Sequence, residues 1–303
     1  MIRATDSEAP ASGSEPTELA AHLECVFHKQ RRRYRKALRR CRRKFSEESV
    51  HQLRVETRRM LTLLGLLHTL WWDAGLEKLQ RRLKRLFKSF SRLRDTQVQL
   101  LFVRERQERF PEIARFHRAL TKREGRLTAC VSQRVEQFEM RKVRKLAAAA
   151  EKTLKEQRKD CNHHRNDWPR LLRSVEKTFA HVAELGSHID PARPATIHRV
   201  RVAFKKFRYL VEVLQPLLPG VTDHQIEAMH DYQTLMGEIQ DAEVLEGAVE
   251  EFIAKKRSRA RKLLHFREYL KARRAVLVAA YMREAGDLAE FWPPHAPGAL
   301  ARA

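Results

Sequence analysis

Turn-forming residues are scarce, with 10 Gly and 11 Pro in 303 residues. At about 7% against roughly 12% in average usage, this argues against sandwiches, propellers and other turn-dense β folds. Cysteine is equally sparse. Cys25, Cys41, Cys130 and Cys161 show no CxxC spacing, so neither a zinc site nor a redox pair nor a disulfide framework is indicated. A reducing, cytoplasmic compartment is the expectation. Long apolar runs are also missing: residues 61–72 and 275–282 are the longest, too short to cross a bilayer, and no membrane insertion is expected. The first 18 residues lack the basic-then-apolar order of a secretory signal and read as a loose tail. What the chain has is a 43% apolar content, enough to fill a core. An all-α fold follows, as one large domain or two of about 150 residues.

Charge dominates the composition: 62 Lys plus Arg against 38 Asp plus Glu, a formal net charge of +24. The field is lopsided, since residues 1–150 carry a net +19 and residues 151–303 a net +5. Arginine outnumbers lysine 43 to 19. Because the guanidinium fork pairs bidentately with phosphate, a phosphate-bearing polyanion is the natural partner class. Charged helix faces that merely keep a protein soluble are the alternative.

Apolar spacing predicts eight helices. Leu23, Phe27, Gln30, Tyr34, Leu38, Cys41 and Phe45 recur every three or four residues and mark the first. Ser46 or Ser49 caps the second, with Gln52 three residues after Ser49 as in a capping box, and it runs to about Trp72. A third carries Leu79, Leu83, Leu86, Phe90 and Leu93 on one stripe and Arg81, Lys84, Arg85, Lys88 and Arg92 opposite. Beyond Pro111 one long helix, with Ala147–Ala150 near its middle, reaches the polar cluster that starts at Lys159. Asp167-Trp168-Pro169 opens a fifth; Pro194 precedes a sixth, which Pro216 and Gly220 end; Thr222 or Asp223 caps a seventh; an eighth ends near Gly286. The resulting organisation is a tail over 1–18, a four-helix half over 19–160, a linker over 161–167, a second half over 168–286 and a Pro-rich tail over 287–303.

The halves repeat. His51-Gln-Leu-Arg54-Val-Glu-Thr-Arg58-Arg59 recurs as His198-Arg-Val-Arg201-Val-Ala-Phe-Lys205-Lys206 at an offset of 147. At an offset of 146, Leu83, Leu86, Phe90, Leu93, Asp95 and Val98 correspond to Met229, Tyr232, Met236, Ile239, Asp241 and Val244. An internal duplication giving two pseudo-twofold-related four-helix bundles is the reading.

At about 100° per residue, His51, Arg54 and Arg58 share one helix stripe, which Arg59 widens. His198, Arg201 and Lys205 repeat it, flanked by Lys206 and Arg208. Arginine supplies paired donors, lysine a compact charge, and histidine a donor that turns cationic near pH 6.5. Two such rows facing a common groove suit a linear run of phosphates. Nucleic acid meets the same electrostatic requirement, but aromatics are only 8% and many sit at apolar-stripe positions, which disfavours sequence-specific base reading.

The segments HQLRVETRR (51–59), SRLRDTQV (91–98), IHRVRVAFKKFRYLVEVL (197–214) and MGEIQDAEVL (236–245) resemble the CHAD family, the conserved histidine α-helical domain. The resemblance spans about residues 19–285. It implies two pseudo-twofold-related four-helix bundles, a basic central groove, and binding of inorganic polyphosphate, often at polyphosphate granules. The histidines that name the family match His51 and His198. Its basic positions match Arg54, Arg58, Arg59, Arg201, Lys205, Lys206 and Arg208, and its Arg-Asp pair matches Arg94 and Asp95. The second copy has Gln240 and Asp241 instead, so unequal halves are expected. The ExExK strand of the triphosphate-tunnel domain that accompanies many CHAD domains is not found in the sequence, and a standalone binding module is expected.

No catalytic residues, metal ligands or cofactors are assigned. His163-His164 beside Cys161 is poorly spaced for a metal, and the arginines of the first helix wrap most of its circumference. The expected function is non-enzymatic polyphosphate binding. The alternatives are a helical nucleic-acid-binding protein, expected to be non-specific, and a phosphohydrolase acting on polyphosphate. Nothing in the sequence speaks to oligomeric state.

Overall fold

A computed structural model describes residues 15–71, 73–159, 167–218, 220–256 and 262–292. Ten α-helices account for most of them: α1 (Glu15–Arg43), α2 (Glu47–Leu70), α3 (Ala74–Ser89), α4 (Ser91–Arg104), α5 (Ala114–Gln137), α6 (Met140–Lys159), α7 (Asp167–Ser187), α8 (Ala195–Leu214), α9 (Asp223–Lys256) and α10 (Leu263–Glu284). Three short 3-10 segments accompany them, two between helices and one after α10, and no strand occurs among the described residues. The all-α expectation holds, but the first half has six helices where the sequence suggested four. Residues 160–166, with Cys161 and the His163-His164 pair, lie outside the described residues.

Both extra breaks have local causes. The third helix divides at Phe90, whose N–H bonds back to the Phe87 carbonyl at 3.3 Å while the Ser89 hydroxyl takes the Leu86 carbonyl at 2.7 Å. The i→i+3 bond tightens the turn, and a Ser side chain competing for a helix carbonyl favours the break. The long fourth helix divides at Phe138, which is extended at ψ 123°. There Arg42 of α1 donates to three carbonyls at the end of α5: Nε to Val135 at 2.9 Å, and Nη2 to Glu136 at 2.9 Å and to Phe138 at 2.5 Å. Those are carbonyls that a helix end leaves without partners.

The capping box at α2 closes one register earlier than expected. Ser46 is the N-cap, its hydroxyl accepting from the Ser49 N–H at 3.2 Å, and Ser49 returns the bond to the Ser46 N–H at 2.9 Å. Gln52 instead donates to Glu56 at 2.7 Å. Thr222 caps α9 through the Gln225 N–H at 3.2 Å. After α8 the chain turns at Gly220, whose φ of 84° lies in the left-handed region that glycine tolerates.

Helix begins at Glu15, inside the expected tail, with Pro16 in the first turn where its missing N–H is no loss. At the other end, residues Ala285–Phe291 form a 3-10 turn where a tail was expected from residue 287. Leu288, Phe291 and Trp292 are buried there, and Phe291 meets Phe204 and Tyr232 edge-on or tilted at ring separations of 5.4 and 5.3 Å.

The two halves share their cores. One apolar cluster runs from Leu23 and Leu53 through Leu83 to Phe207, Tyr232 and Tyr281, and so draws on both halves. A smaller one joins Val103, Ile113 and Phe116 to Leu245, Val249 and Phe266. Across the middle of the molecule α2 packs on α7 and α8, and α4 packs on α9. That crossing sets the site.

Candidate anion-binding site

The α2–α8 and α4–α9 contacts bring both cationic rows to one cavity of about 400 Å³. From α2 come His51, Arg54 and Arg58; from α8, His198, Arg201 and Lys205. The N-terminal part of α4 adds Arg94 and Asp95, and the middle of α9 adds Gln240 and Asp241. The 147 and 146 offsets therefore pair residues across a single space.

Among the described residues, Arg54, Arg58, Arg201 and Lys205 make no ion pair within 4.0 Å. Arg94 alone of the cavity's cations is tied down, to Glu47 at 2.9 Å. Among the described residues the Arg54 Nη1 and the Arg201 Nε are buried without a hydrogen-bond partner. Buried polar atoms are rarely left so. Phe87 of α3 supports the row from beneath, its ring 4.8 Å from the Arg54 guanidinium and 5.3 Å from that of Arg58, both within cation–π range.

Crowding shows in the acidities. Burial, followed by the charges of Arg58, Arg201, Arg208 and Arg54, pushes the Lys205 ammonium down to about 6. Arg54 falls to about 10, chiefly through burial and then Arg58. His51 and His198 are both lowered, first by burial and next by Arg94 and by Arg201 respectively. Both imidazoles are thus neutral donors at pH 7. Asp95 and Asp241 are held above the ordinary carboxylate range by burial, against the opposing pull first of Arg54 and of Arg201. Burial is the larger cause of the lowered values, and an anion entering this space would offset the part due to neighbouring cations.

Three expected site residues lie elsewhere. Arg59, about 100° around α2 from Arg58, lines a separate crevice of about 370 Å³ with His22, Gln30 and Tyr209. Lys206 bears the same angular relation to Lys205 and is exposed. Arg208 is only 5% exposed; it ion-pairs with Glu212, donates to Gln233 at 3.1 Å and stacks 4.5 Å over Tyr209. It sits beyond the cavity's end, where those partners satisfy it. Phe87 and Gln99, which also lines the cavity, were not legible as site residues; Val98 and Val244, which line it too, were flagged only as repeat positions. Among the described residues no group of three metal-ligating side chains occurs, and no helix is long and apolar enough to cross a membrane.

Comparison with known proteins agrees with the all-α fold. No curated protein matches the chain in sequence. In three dimensions it is similar to the crystal structure of the CHAD domain from the plant Ricinus communis, with a TM-score of 0.70 at 17% identity over 89% of this chain and 91% of that one. It is also similar to PptA from Streptomyces chartreusis, with a TM-score of 0.65 at 15% identity over 89% of this chain and 99% of that one. At such identities the likeness shows the fold. The family model for the CHAD domain matches residues 25–250, and the chain therefore belongs to the CHAD domain family.

Proposed function

We propose that this protein binds inorganic polyphosphate in the cavity between α2 and α8 and releases it unchanged, acting as a binding module at polyphosphate deposits. One observation carries the reading: two separate helices aim matching His-Arg-Lys/Arg rows into a single space where four of the cations have no acidic partner within 4.0 Å among the described residues. The row from His51 to Arg58 spans roughly 10 Å at 1.5 Å per residue, so it faces several successive phosphates of a chain. Membership in the CHAD family supports the same polymer. Field focusing in a basic, low-dielectric cleft speeds capture, and counterion release makes the affinity fall steeply with salt.

Competition at about 0.15 M salt tests the reading. Labelled long-chain polyphosphate is bound, then challenged with unlabelled polyphosphate, RNA, DNA, ATP or orthophosphate. Displacement by polyphosphate well ahead of RNA is expected; preferential displacement by RNA overturns the assignment. Incubation with magnesium should leave chain length unchanged, and release of orthophosphate would make the protein an enzyme instead.

A further inference from the structure

A second cavity, of about 460 Å³, lies in the first half of the chain between α1, α3 and α6. Its chemistry differs from that of the central site. The floor is apolar: Met60 of α2, Leu79 and Leu83 of α3, and Met140, Val143 and Ala147 of α6. The alanine run of α6 leaves the space, since Ala147 and Ala148 face it with methyl groups where larger side chains would close it. Arginines line the rim. Arg31 and His28 are both held by Glu151, at 3.0 and 2.7 Å, whereas Arg32, Arg35 and Arg144 are exposed and make no ion pair among the described residues. Tyr34 also lines the cavity; it is 4% exposed, and its hydroxyl has no hydrogen-bond partner among the described residues. Leaving a buried hydroxyl unmatched is costly, and a ligand offering an acceptor would recover that cost.

We infer that this cavity binds a small anion with an apolar, planar body that carries a hydrogen-bond acceptor, a nucleobase or aryl group bearing a phosphate, sulfonate or carboxylate. The body lies on the Met, Leu and Val floor, Tyr34 donates to its acceptor, and the anionic group pairs with Arg32, Arg35 and Arg144. A volume of this size falls in the range of small-molecule sites, which combine an apolar lining with a few polar anchors. The central cavity is lined mainly by charged and polar side chains and suits an extended polymer; this one suits a compact amphiphile.

The test uses the full chain and the fluorescent aryl sulfonate 1-anilinonaphthalene-8-sulfonate, titrated with and without saturating long-chain polyphosphate. One probe per chain is expected to bind in both conditions, with AMP displacing it more effectively than laurate, whose chain offers the tyrosine no acceptor. Arg32→Glu with Arg144→Glu, both at exposed positions, should weaken the probe at least tenfold, and Ala148→Trp should obstruct the mouth. Tyr34→Phe should abolish the preference of AMP over laurate. Absence of probe binding, full displacement by polyphosphate, or binding untouched by the Arg32, Arg144 and Ala148 changes would overturn the site. Laurate competing better than AMP would overturn the acceptor requirement. Arg54→Glu with Arg201→Glu serves as the control, since it should weaken polyphosphate binding and leave the probe unaffected.

Discussion

Lys205 concentrates the physics of the central site. Its ammonium is buried beside Arg58, Arg201, Arg208 and Arg54, so its pKa drops to about 6 and at pH 7 it is largely neutral in the free protein. A bound polyanion reverses the sign of its surroundings and restores the charge, so binding takes up a proton. Affinity should therefore fall as pH rises above about 6, by up to tenfold per unit for the single proton, until the pKa of the bound form is passed. Calorimetry in buffers of different ionisation enthalpy measures the uptake, and Lys205→Arg should keep the affinity while flattening the profile. The same depression acts on folding with a defined sign. Below its unfolded value of 10.5 the unfolded chain holds more protons at this site, so the ligand-free protein gains stability as pH climbs from about 6 toward 10.5. Lys205→Met should accordingly raise Tm at pH 7 while weakening polyphosphate binding; a lowered Tm would refute the account. Arg54→Glu with Arg201→Glu removes at least two charge-assisted bonds, about 3 kcal/mol or more, and should weaken binding roughly 100-fold with helical circular dichroism intact.

Helix boundaries, at the next scale, decide which residues reach the cavity. Ser46 and Ser49 fix the start of α2, and Glu47 in that first turn holds Arg94 of α4 at 2.9 Å. Ser46→Ala should cost about 1 kcal/mol of stability, read in a denaturant melt. The break between α5 and α6 depends on Arg42 instead, through its bonds to the Val135, Glu136 and Phe138 carbonyls. Arg42→Ala should destabilise the protein by about 1–3 kcal/mol, and hydrogen exchange should quicken around residues 135–143 before it does so in α8. No Gly or Pro marks this break in the sequence, because what stabilises it is a side chain more than 90 residues earlier. By contrast α8 ends where Pro216 and Gly220 announce it, and α7 starts at the expected Asp167.

For the whole molecule, the shared core has a consequence for dissection. Leu53, Leu63 and Leu83 of the first half are buried in the same cluster as Phe207 and Tyr232 of the second. Residues 19–160 expressed alone would expose that surface, so the fragment should bind aryl-sulfonate dyes over an exposed core and lose the cooperative melt of the full chain. A sharp, unaltered transition in the fragment would show the halves to be independent. Polyphosphate, which contacts both rows at once, should raise the Tm of the intact chain, by about 2.7 kcal/mol of added stability at a concentration one hundred times Kd. The fragment should show no such response.

The helical class and the two His-headed rows were legible because 3.6-residue periodicity and an offset of 147 are properties of order along the chain alone. Stripe membership likewise follows from residue spacing, which is why His51, Arg54, Arg58, His198, Arg201 and Lys205 all line the cavity. Spacing does not say how far along a helix a cavity extends or what waits beside its ends. Only the packed structure gives Arg208 to Glu212 and Gln233, turns Arg59 into another crevice, slides Phe87 under two guanidiniums and opens a pocket over the alanines of α6. Those outcomes depend on side chains distant in sequence competing for the same charges and volume, and that competition is settled when the helices meet.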